Sequence, residues 1–261
     1  MSFTDTPLTL NALAYDRDLV VRLKEATTVS VIIPARNEAS TIGGVLDAVL
    51  HSANVETPFV DEVIVVDDHS SDDTPTIAEH HGAKVISLSE TTGKGEAMRA
   101  GLEASFSSLV VFLDADVINT TTTFVPRLIQ PLLEYEQIQL VKGYYQRPFL
   151  DMPTGGGRVN ELAARPILSL LYPGLGEIRQ PLAGETAGRR STFERVGFVG
   201  SYGVEIALLI DVAKAFGVKA LAQVDLEIRR HRNRPLEELR PMSVDVLRAA
   251  LERYGVNLPE Q

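Results

Sequence analysis

The sequence predicts an α/β fold in which a parallel sheet carries helices on both faces. Short runs of apolar, mostly β-branched residues alternate with segments whose apolar residues recur at helical spacing. Each predicted strand is apolar throughout, which indicates burial on both faces. The chain has 261 residues, 44% of them hydrophobic and 23% charged, so it is long enough to bury a large core.

The first half of the chain contains the regular part of this pattern. Pro34 ends the first strand, and Pro75 lies in the first turn of the second helix. In chain order the predicted elements are strand Val29–Ile33, helix Ala39–Leu50, strand Glu62–Val66, a helix from near Asp73, strand Ala83–Ser87, a helix from Gly93 to about Phe106, and strand Leu109–Leu113.

The remaining segments are less regular. A helix is expected around Asn11–Glu25, near the start of the chain. The second half is predicted to contain strand Ile138–Gln146, a glycine-rich loop Pro148–Gly157, helices Val159–Leu171, Val204–Phe216 and Leu236–Tyr254, and strand Val218–Ile228. The sequence has no internal repeat and no linker, so we interpret this half as an extension of the same domain.

Composition excludes several classes of protein. With no cysteine, the chain has no disulfide, thiolate metal site or cysteine nucleophile. A formal net charge of -10 argues against binding to a nucleic-acid backbone. The N-terminus lacks the basic and apolar regions of a signal peptide, and no apolar run is long enough to span a bilayer. We therefore expect a cytoplasmic protein that contacts neither nucleic acid nor membrane.

Carboxylates follow two of the predicted strands, at the edge of the sheet where ligands bind in such folds. Asp114 and Asp116 come directly after one strand, and paired carboxylate oxygens suit a hard cation such as Mg²⁺ or Mn²⁺. Asp67 and Asp68 follow another strand and could accept hydrogen bonds from a base or ribose. The alternative is that both pairs are solvated loop residues.

Three further segments could bind anions. Gly93-Lys94-Gly95 is not a Walker motif, but its lysine could reach a phosphate. Arg158 follows three glycines and begins a predicted helix, an arrangement suited to an oxyanion. The basic stretch Arg229–Arg234 ends a strand and includes His231. A helix start, a flexible loop and a solvated charged face are the respective alternatives.

Together these motifs resemble the nucleotide-sugar glycosyltransferases of the GT-A fold. That resemblance rests on Val31–Glu38, Val65–Asp68, Gly93–Ala97 and Phe112–Asp116. Segments of the second half are similar to those of the glucosyl-3-phosphoglycerate and mannosyl-3-phosphoglycerate synthase families: Leu140–Pro148, Gly155–Asn160, Pro181–Glu185, Gly203–Ile206 and His231–Pro235.

The resemblance implies a role for each matching residue. Residues 29–145 would form the donor-binding half, residues 146–261 the acceptor-binding half, and residues 1–28 an N-terminal extension. The implied donor-binding residues are Pro34, Ala35, Arg36, Glu38, Asp68, Lys94, Asp114, Ala115 and Glu205, of which Lys94 and Glu205 are also implied to be catalytic, together with Asp116. Asp116 and His231 would hold a divalent cation, Mg²⁺ or Mn²⁺. Gly157, Arg158, Asn160 and Asn233 would bind 3-phosphoglycerate.

The implied reaction transfers a hexose, with retention of configuration, from a nucleoside diphosphate sugar to the 2-hydroxyl of 3-phosphoglycerate. UDP-glucose is the expected donor, with GDP-mannose as the alternative, and the family resemblance also implies a homodimer. Asn160 and Asp68 stand where the families commonly have threonine and serine, so substrate preference is open. The competing interpretations are another acceptor such as a lipid phosphate, a nucleotidyltransferase, and a non-catalytic nucleotide-sugar sensor.

Overall fold

A computed structural model describes residues 5–53, 58–149, 152–155, 157–200, 202–230 and 236–259. Eight of the ten strands in this part of the chain form one sheet, and two form a short hairpin. The strands are β1 Leu8–Leu10, β2 Val29–Ala35, β3 Glu62–Asp67, β4 Lys84–Ser87, β5 Leu109–Phe112, β6 Leu140–Gln146, β7 Pro148–Phe149, β8 Met152–Gly155, β9 Thr186–Arg189 and β10 Leu221–Ile228.

Nine α-helices are described. They are α1 Arg17–Lys24, α2 Ile42–Ala53, α3 Thr74–His80, α4 Lys94–Ala104, α5 Phe124–Glu134, α6 Arg165–Leu171, α7 Arg190–Val196, α8 Val204–Phe216 and α9 Leu236–Tyr254. A π-helical turn, Asn160–Ala164, leads directly into α6, so the backbone is helical from Arg158 to Leu171.

The strands of the large sheet lie in the order β1-β10-β6-β9-β5-β2-β3-β4. Every neighbouring pair is parallel except the two that involve β9, which is antiparallel to β5 and to β6. The carboxyl ends of β2, β3 and β5 therefore meet at one edge, and β6 and β10 end at the same edge. This geometry brings the two halves of the chain to one place.

Hydrophobic residues cover both faces of the sheet, as the uniformly apolar strands predict. In β2, Val31 and Ile33 pack into one apolar cluster with Leu46 of α2, whereas Ile32 packs into a second cluster with Met98 of α4. All five side chains are at most 2% exposed. The two-layer covering fixes the sheet rigidly and leaves the loops at the strand ends to form a site.

Most of the predicted elements are confirmed with small shifts of their ends. The helices Val204–Phe216 and Leu236–Tyr254 have the predicted bounds. The expected helix Asn11–Glu25 is wrong in extent, because a 3-10 turn at Ala12–Ala14 precedes the shorter α1. The expected loop Pro148–Gly157 is also wrong in part, because it contains the hairpin β7–β8.

Strand β9 was not predicted from the sequence. Its residues are Thr-Ala-Gly-Arg, without the β-branched run that marks the other strands. Position 188 requires glycine, because the ring of Phe193 packs against the backbone there and a Cβ would lie 2.7 Å from the ring. Helix α5 was not predicted either, for a different reason. Its sequence contains Pro126 and Pro131, and proline is unfavourable inside a helix.

The large sheet takes strands from all three predicted segments. Strand β1, from residues 1–28, pairs with β10, and both β9 and β10 pair with β6. The assignment of donor and acceptor binding to separate halves stays a prediction. Among the described residues, no helix is long and apolar enough to cross a membrane.

Candidate active site

A cavity of about 620 Å³ lies over the carboxyl ends of β2, β3 and β5. Its volume is within the usual range for small-molecule sites. Those residues of the predicted site that the structure describes all line this cavity: Pro34, Ala35, Arg36, Glu38, Asp68, Lys94, Asp114, Ala115, Asp116, Gly157, Arg158, Asn160 and Glu205. His231 and Asn233 lie outside the described residues.

The loops that follow β2 and β3 are joined by hydrogen bonds. The backbone N–H of Asn37 donates to Ser70 Oγ at 2.9 Å, and the side-chain oxygen of Asn37 accepts from the N–H of Ser71 at 2.8 Å. The N–H of Glu38 donates to Thr74 Oγ1 at 2.8 Å. Asn37 has a φ of +56°, a conformation that asparagine tolerates better than most residues. These contacts fix one wall of the cavity.

Asp68 anchors the loop that precedes α4. Its Oδ1 accepts from the N–H of Thr92 at 2.7 Å, and its Oδ2 accepts from the N–H of Gly93 at 3.1 Å. The side chain lines the cavity but is only 6% exposed. The structure thus gives Asp68 a contact that the sequence did not predict, because its oxygens hold the backbone from which Lys94 projects.

Glycines on both sides of Lys94 allow this approach. Gly93 has a φ of +91°, which favours glycine. A Cβ on Gly95 would overlap the carbonyl of Val199, so α4 begins in direct contact with that segment. The Gly-Lys-Gly sequence therefore reflects close packing around the first residue of the helix.

Lys94 joins two carboxylates, Asp114 and Glu205, that the resemblance implied to be donor-binding. Its Nζ lies 2.6 Å from Asp114 Oδ1 and 2.5 Å from Glu205 Oε1. Glu205 lies in the first turn of α8, where the helix dipole favours a negative charge. Burial alone would lower the pKa of Lys94, but the two carboxylates outweigh it and hold the pKa above its ordinary value. The lysine is therefore a fixed positive charge.

Arg229 contacts Asp114 and Asp116, the two residues that we call the acidic centre. Its Nη2 lies 2.6 Å from Asp114 Oδ2 and 3.0 Å from Asp116 Oδ1, and its Nε lies 3.2 Å from Glu185 Oε1. Its Nη1 also donates to the hydroxyl of Tyr145 at 2.9 Å. The Arg229 side chain is 2% exposed. One guanidinium thus orders both acidic residues of the Asp-Ala-Asp motif.

These cations determine the charge state of the buried acids. Burial would raise the pKa of Asp114, but Lys94 and Arg229 together hold it well below its usual range. Glu185 is fully buried, and burial raises its pKa despite the ion pair with Arg229. Asp114 is therefore ionised under all ordinary conditions, with a cation beside each of its oxygens.

Lys142 is a buried lysine that holds the turn packed against Asp114. This β6 residue is 1% exposed, and its Nζ donates to the carbonyl of Ala183 at 2.5 Å and to Thr186 Oγ1 at 2.8 Å. Burial lowers the pKa of Lys142 to about 8. A Cβ on Gly184 would overlap the carboxylate of Asp114. Lys142 therefore holds the turn against which Asp114 rests.

Gly157, Arg158 and Asn160 also line the cavity. Asn160 is 2% exposed, and its Nδ2 donates to Glu161 Oε1 at 2.9 Å and to the carbonyl of Arg179 at 3.2 Å. The side chain ties the start of the helical segment to a neighbouring loop. The predicted contact of Asn160 with an acceptor stays a prediction.

The residues that sequence reasoning missed are Lys142, Tyr145, Arg147, Glu185 and Arg229. Each belongs to a segment that was singled out as a motif, but none was assigned to the site. A signal existed for Arg229, which ends a strand at the ligand-binding edge. No local pattern distinguishes the buried Lys142 and Glu185 from surface charges.

The residues present fit a divalent cation that takes part of its ligands from a substrate. Asp116 offers carboxylate oxygens, its side chain is 27% exposed, and it lines the cavity. Among the described residues, no three histidine or acidic side chains converge as a metal site of their own. Mg²⁺ typically takes one or two carboxylates and completes its shell with phosphate oxygens and water. Asp116 and the predicted His231 correspond to such a set.

Comparison with known proteins places the chain among glycosyltransferases. The model of the family "Glycosyl transferase family 2" matches residues 30–165. Glucosyl-3-phosphoglycerate synthase of Mycobacterium tuberculosis strain H37Rv is 45% identical over 247 residues, which are 89% of this chain and 75% of that protein. The synthase of Petrotoga mobilis is 42% identical over 252 residues, 90% of this chain and 78% of that protein.

Solved structures of the Mycobacterium tuberculosis synthase are similar throughout. One, in complex with Mn²⁺, UDP-glucose and phosphoglyceric acid, has a TM-score of 0.85 at 42% identity and covers 96% of this chain and 88% of its own. Another, in complex with Mg²⁺ and UDP, has a TM-score of 0.87 at 42% identity. It covers 96% of this chain and 87% of the chain in that structure. The α/β fold with its mixed sheet is thus that of a solved GT-A enzyme.

Proposed function

The chain belongs to glycosyl transferase family 2, and on that basis we propose that it transfers glucose from UDP-glucose to the 2-hydroxyl of 3-phosphoglycerate. The observation that carries the proposal is that one cavity is lined both by the acidic residues Asp114 and Asp116 and by the cation Arg158. The Mycobacterium tuberculosis synthase, 42% identical in its solved structure, binds UDP-glucose and phosphoglyceric acid together. The cavity thus offers places for both substrates of one transfer.

The donor binds at the ends of β2, β3 and β5. Pro34, Ala35, Arg36, Glu38 and Asp68 line the part of the cavity that would take the base and ribose. Asp114, Ala115, Lys94 and Glu205 follow towards the sugar. Because Lys94 already bridges Asp114 and Glu205, the sugar hydroxyls meet a preorganised set of charges, and binding requires little rearrangement.

A divalent cation completes the site, as it does in the related structures with Mn²⁺ or Mg²⁺. Asp116 and His231 are the residues that would hold it. When bound, the cation neutralises charge on the leaving diphosphate.

The arrangement of charges favours retention of configuration, with the acceptor oxygen attacking the sugar from the same face that the diphosphate leaves. Asp114 has a cation beside each oxygen, and Glu205 is paired with Lys94, so both carboxylates are poor nucleophiles. The bond from the sugar to the diphosphate breaks as the bond to the acceptor oxygen forms, and the leaving phosphate oxygen takes the acceptor's proton. Lys94 and Glu205 orient the sugar in this step.

Acceptor binding is assigned to Gly157, Arg158, Asn160 and Asn233. Arg158 has the planar fork that suits phosphate. Asn160 fixes the position of the helical segment that carries Arg158, which is a structural contribution whether or not its amide reaches the acceptor.

The test is a donor-by-acceptor assay. We expect release of UDP from UDP-glucose only when 3-phosphoglycerate and Mg²⁺ or Mn²⁺ are present, with formation of an α-glucoside detected by NMR. GDP-mannose is the alternative donor and should be turned over at least tenfold more slowly. Formation of a nucleotide sugar from a sugar phosphate and a nucleoside triphosphate would instead identify a nucleotidyltransferase. Binding of UDP-glucose without turnover of any acceptor would identify a sensor.

Two further properties are proposals with their own tests. We propose a homodimer, the commonest symmetric assembly of soluble proteins, to be tested by light scattering after size-exclusion chromatography. We also propose a cytoplasmic location, to be tested by cell fractionation.

A further inference from the structure

Arg147 lines the cavity and forms no ion pair with any carboxylate in the described part of the chain. The residue follows the last position of β6 and lines the same cavity as Arg158. Its Nε is buried and has no hydrogen-bond partner among the residues that the structure describes. A half-buried guanidinium without an acidic partner is costly, and it is unexpected in a chain with a net charge of -10.

The contrast with Arg229 shows what is missing. The centre of the Tyr145 ring lies 5.4 Å from the guanidinium carbon of Arg147 and 5.2 Å from that of Arg229. Arg229 forms ion pairs with Asp114, Asp116 and Glu185, whereas no carboxylate among the described residues lies within ion-pair distance of Arg147. The Tyr145 ring thus contacts two guanidinium groups, of which only that of Arg229 has an acidic partner in the described part of the chain.

Arg147 also packs against the start of the segment assigned to the acceptor. A Cβ on Gly157 would lie 3.1 Å from its Nη1 and 3.2 Å from its Cδ, so the guanidinium lies directly on the Gly157 backbone. Gly157 has a φ of +74° and immediately precedes Arg158. Two arginines therefore line the cavity, one packed against Gly157 and one following it in the sequence.

We propose that Arg147 binds the carboxylate of the acceptor while Arg158 binds its phosphate. This assignment rests on the proposed function. 3-Phosphoglycerate carries an anionic group at each end, with the reacting 2-hydroxyl between them. Two separate cations would fix both ends and thereby orient that hydroxyl. A bound carboxylate would supply Arg147 with the counter-charge that the described residues lack.

The experiment compares Arg147→Gln with Arg158→Gln against three ligands of the intact protein. Calorimetry gives the Kd of 3-phosphoglycerate, and inhibition of glucosyl transfer gives the Ki of glycerol 3-phosphate, which lacks the carboxylate, and of D-glycerate, which lacks the phosphate. Arg165→Gln is the matched control, since Arg165 lies on the same helical segment in an exposed ion pair with Glu161. Thermal unfolding verifies that each variant is folded.

Arg147→Gln should raise the Kd of 3-phosphoglycerate about tenfold or more and the Ki of D-glycerate similarly, as expected for loss of a charged hydrogen bond. The Ki of glycerol 3-phosphate and the KM of UDP-glucose should change less than threefold. Arg158→Gln should show the opposite selectivity between the two inhibitors.

An unchanged Kd of 3-phosphoglycerate in folded Arg147→Gln would overturn the inference, and so would a larger effect on glycerol 3-phosphate than on D-glycerate. A parallel rise in the KM of UDP-glucose would show instead a structural role. If the parent protein transfers no glucose to 3-phosphoglycerate, the proposed function itself fails, which is a different result.

Discussion

Arg229 and Asp114 are 115 positions apart in the sequence, yet Nη2 of the one lies 2.6 Å from Oδ2 of the other. The contact joins the end of β10 to the end of β5. Because a buried charge is costly without a partner, each residue depends on the other for its place. The acidic motif of the first half is thus ordered by an arginine of the second half.

Replacing this arginine should destabilise the fold. We expect Arg229→Met to lower the free energy of unfolding at pH 7 by about 3–5 kcal/mol, because buried acids lose their counter-charge. The loss should shrink on acidification, since burial raises the pKa of Glu185 and its protonated form is the better tolerated. Urea unfolding at several pH values measures both effects. Arg165→Met, in an exposed pair, should change stability by less than about 0.5 kcal/mol; equal losses would contradict the assignment.

Lys94 should act on the donor alone. Lys94→Ala leaves Asp114 and Glu205 without their shared cation, so the KM of UDP-glucose should rise far more than that of 3-phosphoglycerate. Initial rates with each substrate varied in turn measure this selectivity. Lys84→Ala, at an exposed lysine, is the control and should leave both constants unchanged. Equal effects of Lys94→Ala on the two constants would argue against a donor role.

Asp116 should be needed for turnover and not for folding. Asp116→Ala is expected to raise the barrier by several kcal/mol, a hundredfold or more in rate, because it removes a metal ligand. Arg229 keeps Asp114 and Glu185 as partners, so the thermal unfolding midpoint should stay close to that of the parent. His231→Ala should behave alike, and Mn²⁺ binding in the presence of UDP should weaken in both. Asp47→Ala is the surface control. Near-normal rates with unchanged metal dependence would refute the metal site.

Lys142 should make stability depend on pH in the alkaline range. Burial lowers its pKa from 10.5 to about 8, so between these values the unfolded chain binds more protons and the folded state gains stability as pH rises. Below pH 8 Lys142 is charged in the folded protein, and burial of this charge lowers the free energy of unfolding by its full amount. Relative to Lys142→Met, the parent should therefore become more stable by about 3 kcal/mol from pH 8 to pH 10.5. In the variant, Thr186 still donates to the carbonyl of Ala183. A difference that does not vary with pH would contradict this assignment, because it would show that Lys142 has the same pKa in the folded and the unfolded chain.

The sequence predicts well which residues line the cavity at the ends of β2, β3 and β5, for a physical reason. Apolar strands such as Val29–Ile33 are local signals, and the polar residues after them must lie at the ends of the sheet. Asp114 and Asp116 could therefore be located without a structure. Strand β9 could not, because its small residues serve close packing and carry no periodic pattern.

The charge partners were not predictable for another reason. The pairing of Arg229 with Asp114 is decided by how distant strands align, and no local pattern records it. Asp68 and Asn160 illustrate the converse. Both residue types suit direct contact with a ligand, but the structure uses their side chains to hold backbone groups of neighbouring loops.

Strand β1 covers the edge of the longer strand β10. Leu8 and Leu10 align with Ala222 and Val224 in a parallel pair at the outer edge of the sheet. Without these residues β10 would become an edge strand, and its open row of backbone donors and acceptors would be a template for strands of other molecules. A shortened chain that begins after Leu10 would thus be prone to aggregate, and because Arg229 follows β10 directly, the aggregated edge would lie one residue from the acidic centre.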